Sequence, residues 1–186
     1  MAFDRAALFC TLMEMTDQSH QIARHKTAIR RNDLSLPVKC LLRDGLLGPA
    51  TRLFDYGCGH GENIDLLNAQ GILCHGWDPV FRAKEPLLSA EVVNLGYVIN
   101  VIEDPAERAE ALRRAWELSG KLLVVSAQIQ VRGRGKSQVE FGDGVLTRLG
   151  TFQKFYSQGE LREYLQAELG VDAIAAAPGR VSPVQR

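Results

Sequence analysis

"LFDYGCGHGENIDLL", Leu53 to Leu67, sets Gly57, Gly59 and Gly61 between a short apolar run and a segment with helical spacing. Strand, glycine loop and helix in that order make a backbone cradle. Glycines let the chain turn tightly and a ligand come close, and ligands of open α/β sheets sit at the carboxyl ends of strands. The dinucleotide fingerprint G-x-G-x-x-G needs its third glycine for close helix–strand packing. Here the pattern is G-x-G-x-G, and the dinucleotide's third position is Glu62. A carboxylate there suits a pyrophosphate poorly.

The approach to the loop is acidic as well, because Asp55 stands two positions before Gly57. That favours a ligand carrying an ammonium and a sulfonium over one carrying phosphates. The next predicted strand ends in Asp78, where a carboxylate can accept hydrogen bonds from both ribose hydroxyls. Asp55, Gly57, Gly59 and Asp78 together read as a nucleoside site with a cationic tail, which describes S-adenosylmethionine. The plainer alternative is a glycine-rich turn with a structural aspartate.

Outward from the loop, strands and helices alternate. "RLFDYG" and "ILCHGWD" are short buried strands flanking the helix "ENIDLLNAQG", which Gly71 closes. "AEVVNLGYVINVI" begins as an apolar strand. "DPAERAEALRRAWELSG" is a helix capped by Asp104, with Pro105 at its first position, Glu107 completing a capping box and Gly120 at its end. "KLLVVSAQIQV" is another strand, and "SQGELREYLQAELG" a helix with Ser157 and Glu160 as its box. The basic, glycine-rich stretch from Arg132 to Gly150 predicts a long loop, and the final residues predict an antiparallel hairpin around Pro178 and Gly179. Such alternation indicates an open, mostly parallel sheet with helices on both faces.

Residues 1–48 read as an N-terminal helical cover over a core of residues 49–186, one structural domain overall. Asp4 caps a segment with Leu8, Phe9, Leu12 and Met15 at helical spacing, and "SLP" (Ser35–Pro37) starts a helix that stops near Gly45 or Gly48. The chain of 186 residues can bury a core unaided. Lys+Arg and Asp+Glu are both 22, so no overall charge draws it to nucleic acid or membrane. Cys10, Cys40, Cys58 and Cys74 contain no CxxC pair and read as reduced thiols of a cytoplasmic protein. Asp4 and Arg5 replace the start of a signal peptide, and no run approaches the ~20 apolar residues of a membrane span.

These strings resemble the class I S-adenosylmethionine-dependent methyltransferases. "EVVNLGYVINVIEDP" aligns without gaps to that family's fourth-strand pattern. "HKTAIRR", "FDYGCGHG", "GWDP", "FGDG" and "GTFQKFY" narrow the resemblance to the DNA phosphorothioation-associated methyltransferases, over about residues 25 to 180. The resemblance implies a Rossmann-like class I methyltransferase sheet, S-adenosylmethionine as cofactor, and a nucleic-acid or phosphorothioation-linked target. The chain departs from the class in one gap. Only 13 residues separate Asp78 from Val92, too few for a helix–strand–helix passage, so the third strand is expected to be very short or missing. Pro79, Val80 and Phe81 then become the expected adenine wall.

Methyl transfer from a sulfonium mainly requires alignment of the nucleophile and exclusion of water. Candidates for that work are Tyr97 and Asn100, after the predicted strand's end, with simple packing as the alternative for each. Cys58, Leu95 and Gly96 complete the expected cofactor contacts. Lys26, with Arg30 and Arg31 nearby on a helical segment, is the candidate partner of the cofactor carboxylate, or else part of a solvated basic face. "NLGY" has the spacing of the Asn-Pro-Pro-Tyr motif, yet lacks both prolines and puts Asn94 inside the strand, where a core asparagine is expected. His60 reads as a lid side chain. Phe152, Lys154 and Tyr156 are expected to build the substrate wall. Arg132, Arg134 and Lys136 could track phosphates or belong to a solvated loop. No metal is expected, because Cys74 and His75 are strand neighbours pointing to opposite faces. Small-metabolite and nucleic-acid acceptors both remain open, as does a non-catalytic scaffold role; the oligomeric state is not specified.

Overall fold

A computed structural model describes residues 22–130, 139–177 and 180–183. The expected helix around Leu8, the cations Arg132, Arg134 and Lys136, and the Pro178–Gly179 turn lie outside those residues. The chain enters through a 3-10 turn, Arg24–Thr27, and continues extended to the helix α1, Leu36–Arg43. The described part of the cover is therefore a strap followed by one helix, and Lys26 and Arg31 stand on non-α backbone.

The core then alternates as its sequence dictates: β1 (Leu53–Tyr56), α2 (Glu62–Ala69), β2 (Cys74–Trp77), β3 (Ala90–Gly96), α3 (Pro105–Leu118) and β4 (Ser119–Ser126). Three short strands follow, β5 (Val139–Phe141), β6 (Gly144–Leu146) and β7 (Phe152–Gln153), then α4 (Gln158–Leu169) and the strands β8 (Ala173–Ala177) and β9 (Arg180–Pro183). The main sheet runs β2-β1-β3-β4-β9-β8. β2, β1, β3 and β4 are parallel, while β9 is antiparallel to both β4 and β8. Between Asp78 and Ala90 the chain makes only turns, so the expected third strand is missing.

Successive strand residues point to opposite faces, and both faces are covered. Leu53, Val92 and Val124 pack with Val38, Leu41, Ile64 and Leu67 of α1 and α2. Phe54, Val93, Leu123 and Val125 pack with Leu112, Ala115, Leu161 and Leu165 of α3 and α4. This two-sided burial explains why the central strands read as continuous apolar runs.

Three local expectations are corrected. The Asp104 side chain caps α3 by accepting from Ala106 N at 2.8 Å, but Glu107 does not reach back to it and instead binds Arg24. Gly120 does not end that helix; it lies in β4, and Ser119 is the cap residue. The described part of the predicted loop, from Val139 onward, is the antiparallel meander β5–β6–β7. The Ser157–Glu160 box at α4 is complete. No described helix is long and apolar enough to cross a membrane.

Candidate active site

β1 delivers the chain into the glycine loop, whose shape is fixed from β2. Gly57 N and Cys58 N both donate to Trp77 O, at 2.8 and 3.1 Å. Gly57 has φ +77°, and a Cβ there would meet Val98 Cγ2 at 2.4 Å, so only glycine fits. The Asp78 carboxylate closes the loop from the other side. Its Oδ2 accepts from Gly59 N at 3.0 Å and its Oδ1 from Val80 N and Phe81 N at 2.9 and 3.0 Å. The cavity enclosed between these strand ends is lined by Gly57, Cys58, Gly59 and Asp78, then by Pro79, Val80, Gly96 and Tyr97. His60 and Phe81 also line it, with ring centroids 4.0 Å apart.

Asp55 does not face that cavity. It is 3% exposed, and accepts from Asn63 Nδ2 at 2.9 Å and Asn94 Nδ2 at 2.7 Å. Burial pushes its carboxyl above the usual range against the pull of those two amides. Asn63 also accepts from Ser35 N at 2.8 Å, so Asp55 ties α1, α2 and β3 together behind the loop. Leu95 is likewise buried in the core rather than in the cavity. Asp78, Glu107 and Glu62 are the acids that do line the cavity; Glu62 is the first residue of α2, and its Oε1 is buried without a hydrogen-bond partner. The sequence exposed Glu62 only as a mismatch to the dinucleotide pattern.

Lys26 is corrected in the same way. Arg31 lines the glycine-loop cavity and Lys26 does not, while both line a larger cleft of about 870 Å³ beside it. Thr27, Ile29, Arg31, Tyr97 and Val101 border both spaces, so Tyr97 stands at their junction. Its φ is +62°, the only positive value at a described non-glycine residue. Tyr97 N donates to Ser126 O at 2.8 Å, which pins this strained turn to the end of β4. Asn100 lines the cleft, is 2% exposed, and its Oδ1 has no partner.

The expected wall of Phe152, Lys154 and Tyr156 is not part of that cleft. Phe152 and Tyr156 are each 1% exposed; the Tyr156 hydroxyl donates to Ile99 O at 3.4 Å. Lys154 pairs with Asp143 at 3.1 Å and Glu160 at 2.8 Å. Asp143 also accepts two hydrogen bonds from buried Arg108, at 2.6 and 2.9 Å, which hold its carboxyl down at about 2. These groups staple the meander to α3. The neighbouring Thr147, Leu149, Thr151 and Gln153 supply the wall instead.

The strap seals the smaller cavity. Ala28 Cβ lies 3.3 Å from where a Cβ on Gly59 would be, and the remaining space is about 170 Å³. That is below the ~300 Å³ at which ligand pockets usually begin. An adjoining space of about 280 Å³ shares Gly57, Pro79, Val98 and Ile102 and adds Tyr56 and Trp77. The Cys58 thiol is pushed up to about 12, chiefly by burial and then by Asp55 and Asp78, so it is neutral. Cys74 is buried while His75 is exposed on the other face of β2, and no described group of three or more His, Cys, Asp or Glu residues clusters for a metal.

Solved structures share this fold. An S-adenosylmethionine-bound amino pentose methyltransferase from Micromonospora echinaspora, of calicheamicin biosynthesis, matches over 100% of this chain and 98% of its own, with TM-score 0.55 and 13% identity. Magnesium protoporphyrin IX methyltransferase from Synechocystis PCC 6803, with S-adenosylmethionine bound, matches over 100% and 99%, with TM-score 0.54 and 14% identity. A 1,6-didemethyltoxoflavin-N1-methyltransferase from Burkholderia thailandensis matches over 98% and 86%, with TM-score 0.56 and 14% identity.

The chain has a Rossmann-like methyltransferase fold. No described protein family matches its sequence, and no curated protein does.

Proposed function

We propose that this chain is an S-adenosylmethionine-dependent methyltransferase acting in the cytoplasm on an N, O or S atom of a small metabolite. One observation carries the reading: a cavity at the glycine loop, bordered by Asp78 and by Glu62 with its unpartnered Oε1, shares Tyr97 as a wall with a separate cleft. The residues fit the cofactor. Glu62 Oε1 lacks the donor that an ammonium group provides, and Arg31 supplies a cation for the neighbouring carboxylate. Asp78 keeps acceptor capacity for ribose hydroxyls beyond its three backbone donors. Pro79, Val80, Gly96 and Val98 offer an apolar wall to a base, with Trp77 in the adjoining space. Cys58 and Gly59 line the bend between these ends.

When bound, the cofactor supplies a sulfonium methyl, whose carbon takes the acceptor's lone pair while the C–S pair returns to sulfur. The chain's own residues align and shield. Tyr97 and Val101 form the passage between the two spaces, and Asn100 presents an amide to the acceptor. The strap excludes water. Among the described residues no carboxylate or imidazole lines the cleft, and on this reading the acceptor reacts in an ionisation state that already carries a free lone pair.

Small acceptors are favoured because the neighbours are named for an amino pentose, a magnesium protoporphyrin and a toxoflavin precursor. The strings "HKTAIRR", "FGDG" and "GTFQKFY" support a second reading, a phosphorothioation-linked acceptor or a non-catalytic subunit of a DNA-modification assembly. Methyl-labelled S-adenosylmethionine presented with a metabolite panel tests the proposal. Transfer of label that Tyr97→Ala and Asn100→Ala each cut by about 100-fold, with cofactor binding retained, supports an aligning role. Cofactor binding without transfer to any small acceptor favours the second reading.

A further inference from the structure

The acceptor cleft has a charge that the whole chain lacks. Lys+Arg and Asp+Glu balance at 22 each over the sequence, yet among the described residues Lys26, Arg31 and Arg148 line the cleft and no carboxylate does. Neighbouring acids are engaged elsewhere: Glu103 and Glu107 by Arg24, Asp143 by Arg108 and Lys154, Asp33 by Lys39. Lys26 and Arg31 form no ion pair among the described residues.

The same cleft is bordered by exposed aliphatic side chains. Ile29 and Leu149 are each 66% exposed and Leu36 is 55% exposed. Single exposed leucines are ordinary on a protein surface, but apolar groups gathered around one cavity mark a ligand site. At the floor lie Asn100, Gln128 and Gln153. A single-stranded nucleic acid would call for aromatic platforms along a basic groove; here Tyr97 is the one aromatic side chain at the cleft among the described residues.

We propose that the methyl acceptor is a small amphipathic anion. Its carboxylate or phosphate sits at Lys26, beside the Arg31 that it shares with the cofactor carboxylate, and its apolar body lies between Leu36 and Leu149. The role of this ligand as acceptor rests on the methyltransferase reading; the charge preference of the cleft does not.

Two fluorescent probes of one shape separate charge from apolar surface: 8-anilinonaphthalene-1-sulfonate, an amphipathic anion, and uncharged N-phenyl-1-naphthylamine. Each is titrated into the full chain with and without S-adenosylhomocysteine. The sulfonate should bind about tenfold more tightly than the amine, and added salt should narrow the gap. Lys26→Glu should abolish the preference while leaving the amine's affinity within about twofold and S-adenosylhomocysteine binding intact, which also shows that the variant is folded. Equal affinity for the two probes, or a sulfonate affinity unchanged in both Lys26→Glu and Arg31→Glu, would overturn the proposal. So would displacement of the sulfonate by a single-stranded oligonucleotide but not by a small aromatic carboxylate or phosphate. If S-adenosylhomocysteine fails to bind, the methyltransferase reading falls, and the probe titrations still decide the charge preference.

Discussion

The Arg24 guanidinium holds the Glu103 carboxylate through two hydrogen bonds, Nε to Oε2 at 2.8 Å and Nη2 to Oε1 at 2.6 Å. It also holds Glu107, at 2.6 and 2.8 Å. These bonds latch the strap to the region where α3 begins, and Arg24 and Glu107 both border the smaller cavity. With the strap seated that cavity measures about 170 Å³, so on the proposed reading the cofactor enters most readily when the strap lifts.

Arg24→Met is therefore expected to speed both association and release of S-adenosylhomocysteine several-fold in stopped-flow measurements. Global stability should fall by only about 1 kcal/mol, because the network is partly exposed. Acid should open the same latch. Burial raises the Glu103 carboxyl, but the Arg24 bonds outweigh it and leave it below the usual glutamate range. A depressed value means the latch is intact above that range and weakens as pH falls through it. Release should quicken at that acidic limit in the native chain, and Arg24→Met should lose most of that dependence.

Asp55→Ala tests the brace behind the loop. It strands the buried amide donors of Asn63 and Asn94, and denaturant unfolding should report a loss of about 3 kcal/mol. Were Asp55 only a cofactor contact, stability would hardly change and affinity alone would fall.

Tyr97 separates strain from function. Tyr97→Gly removes a left-handed tyrosine, relieving about 1 kcal/mol of backbone strain that offsets the lost side-chain packing. Melting temperature should stay near native while turnover drops, with S-adenosylhomocysteine affinity within about threefold. Tyr97→Ala, which keeps the strain, should be the less stable of the two.

Where local chemistry decides structure, the sequence was legible. The glycine loop, the Asp104 cap, the Ser157–Glu160 box and the two-sided apolar strands announce themselves within a few residues, and the missing third strand follows from chain length alone. Legibility ended where distant groups compete. Glu107 had the right spacing for a capping box, but Arg24, far away in sequence, took its carboxylate. The strands of the meander are two or three residues long, too short for any period to show. Phe152 and Tyr156 are apolar because they are core, which composition cannot distinguish from a pocket wall. Whether Lys26 or Arg31 reaches the cavity depends on the 3-10 turn that holds Lys26 and the irregular segment that follows it, and no periodicity encodes it. Asp55 and Glu62 are both acids beside the loop, and only the fold separates brace from lining.

The most direct measurement is calorimetric titration of S-adenosylhomocysteine into the native chain, Glu62→Gln and Gly57→Ala. Saturable one-to-one binding is predicted for the native chain. Glu62→Gln should weaken it about tenfold through the lost ammonium contact, and Gly57→Ala should abolish it through the collision with Val98. A folded native chain that takes up no S-adenosylhomocysteine, or binds it equally well in all three forms, would contradict the account.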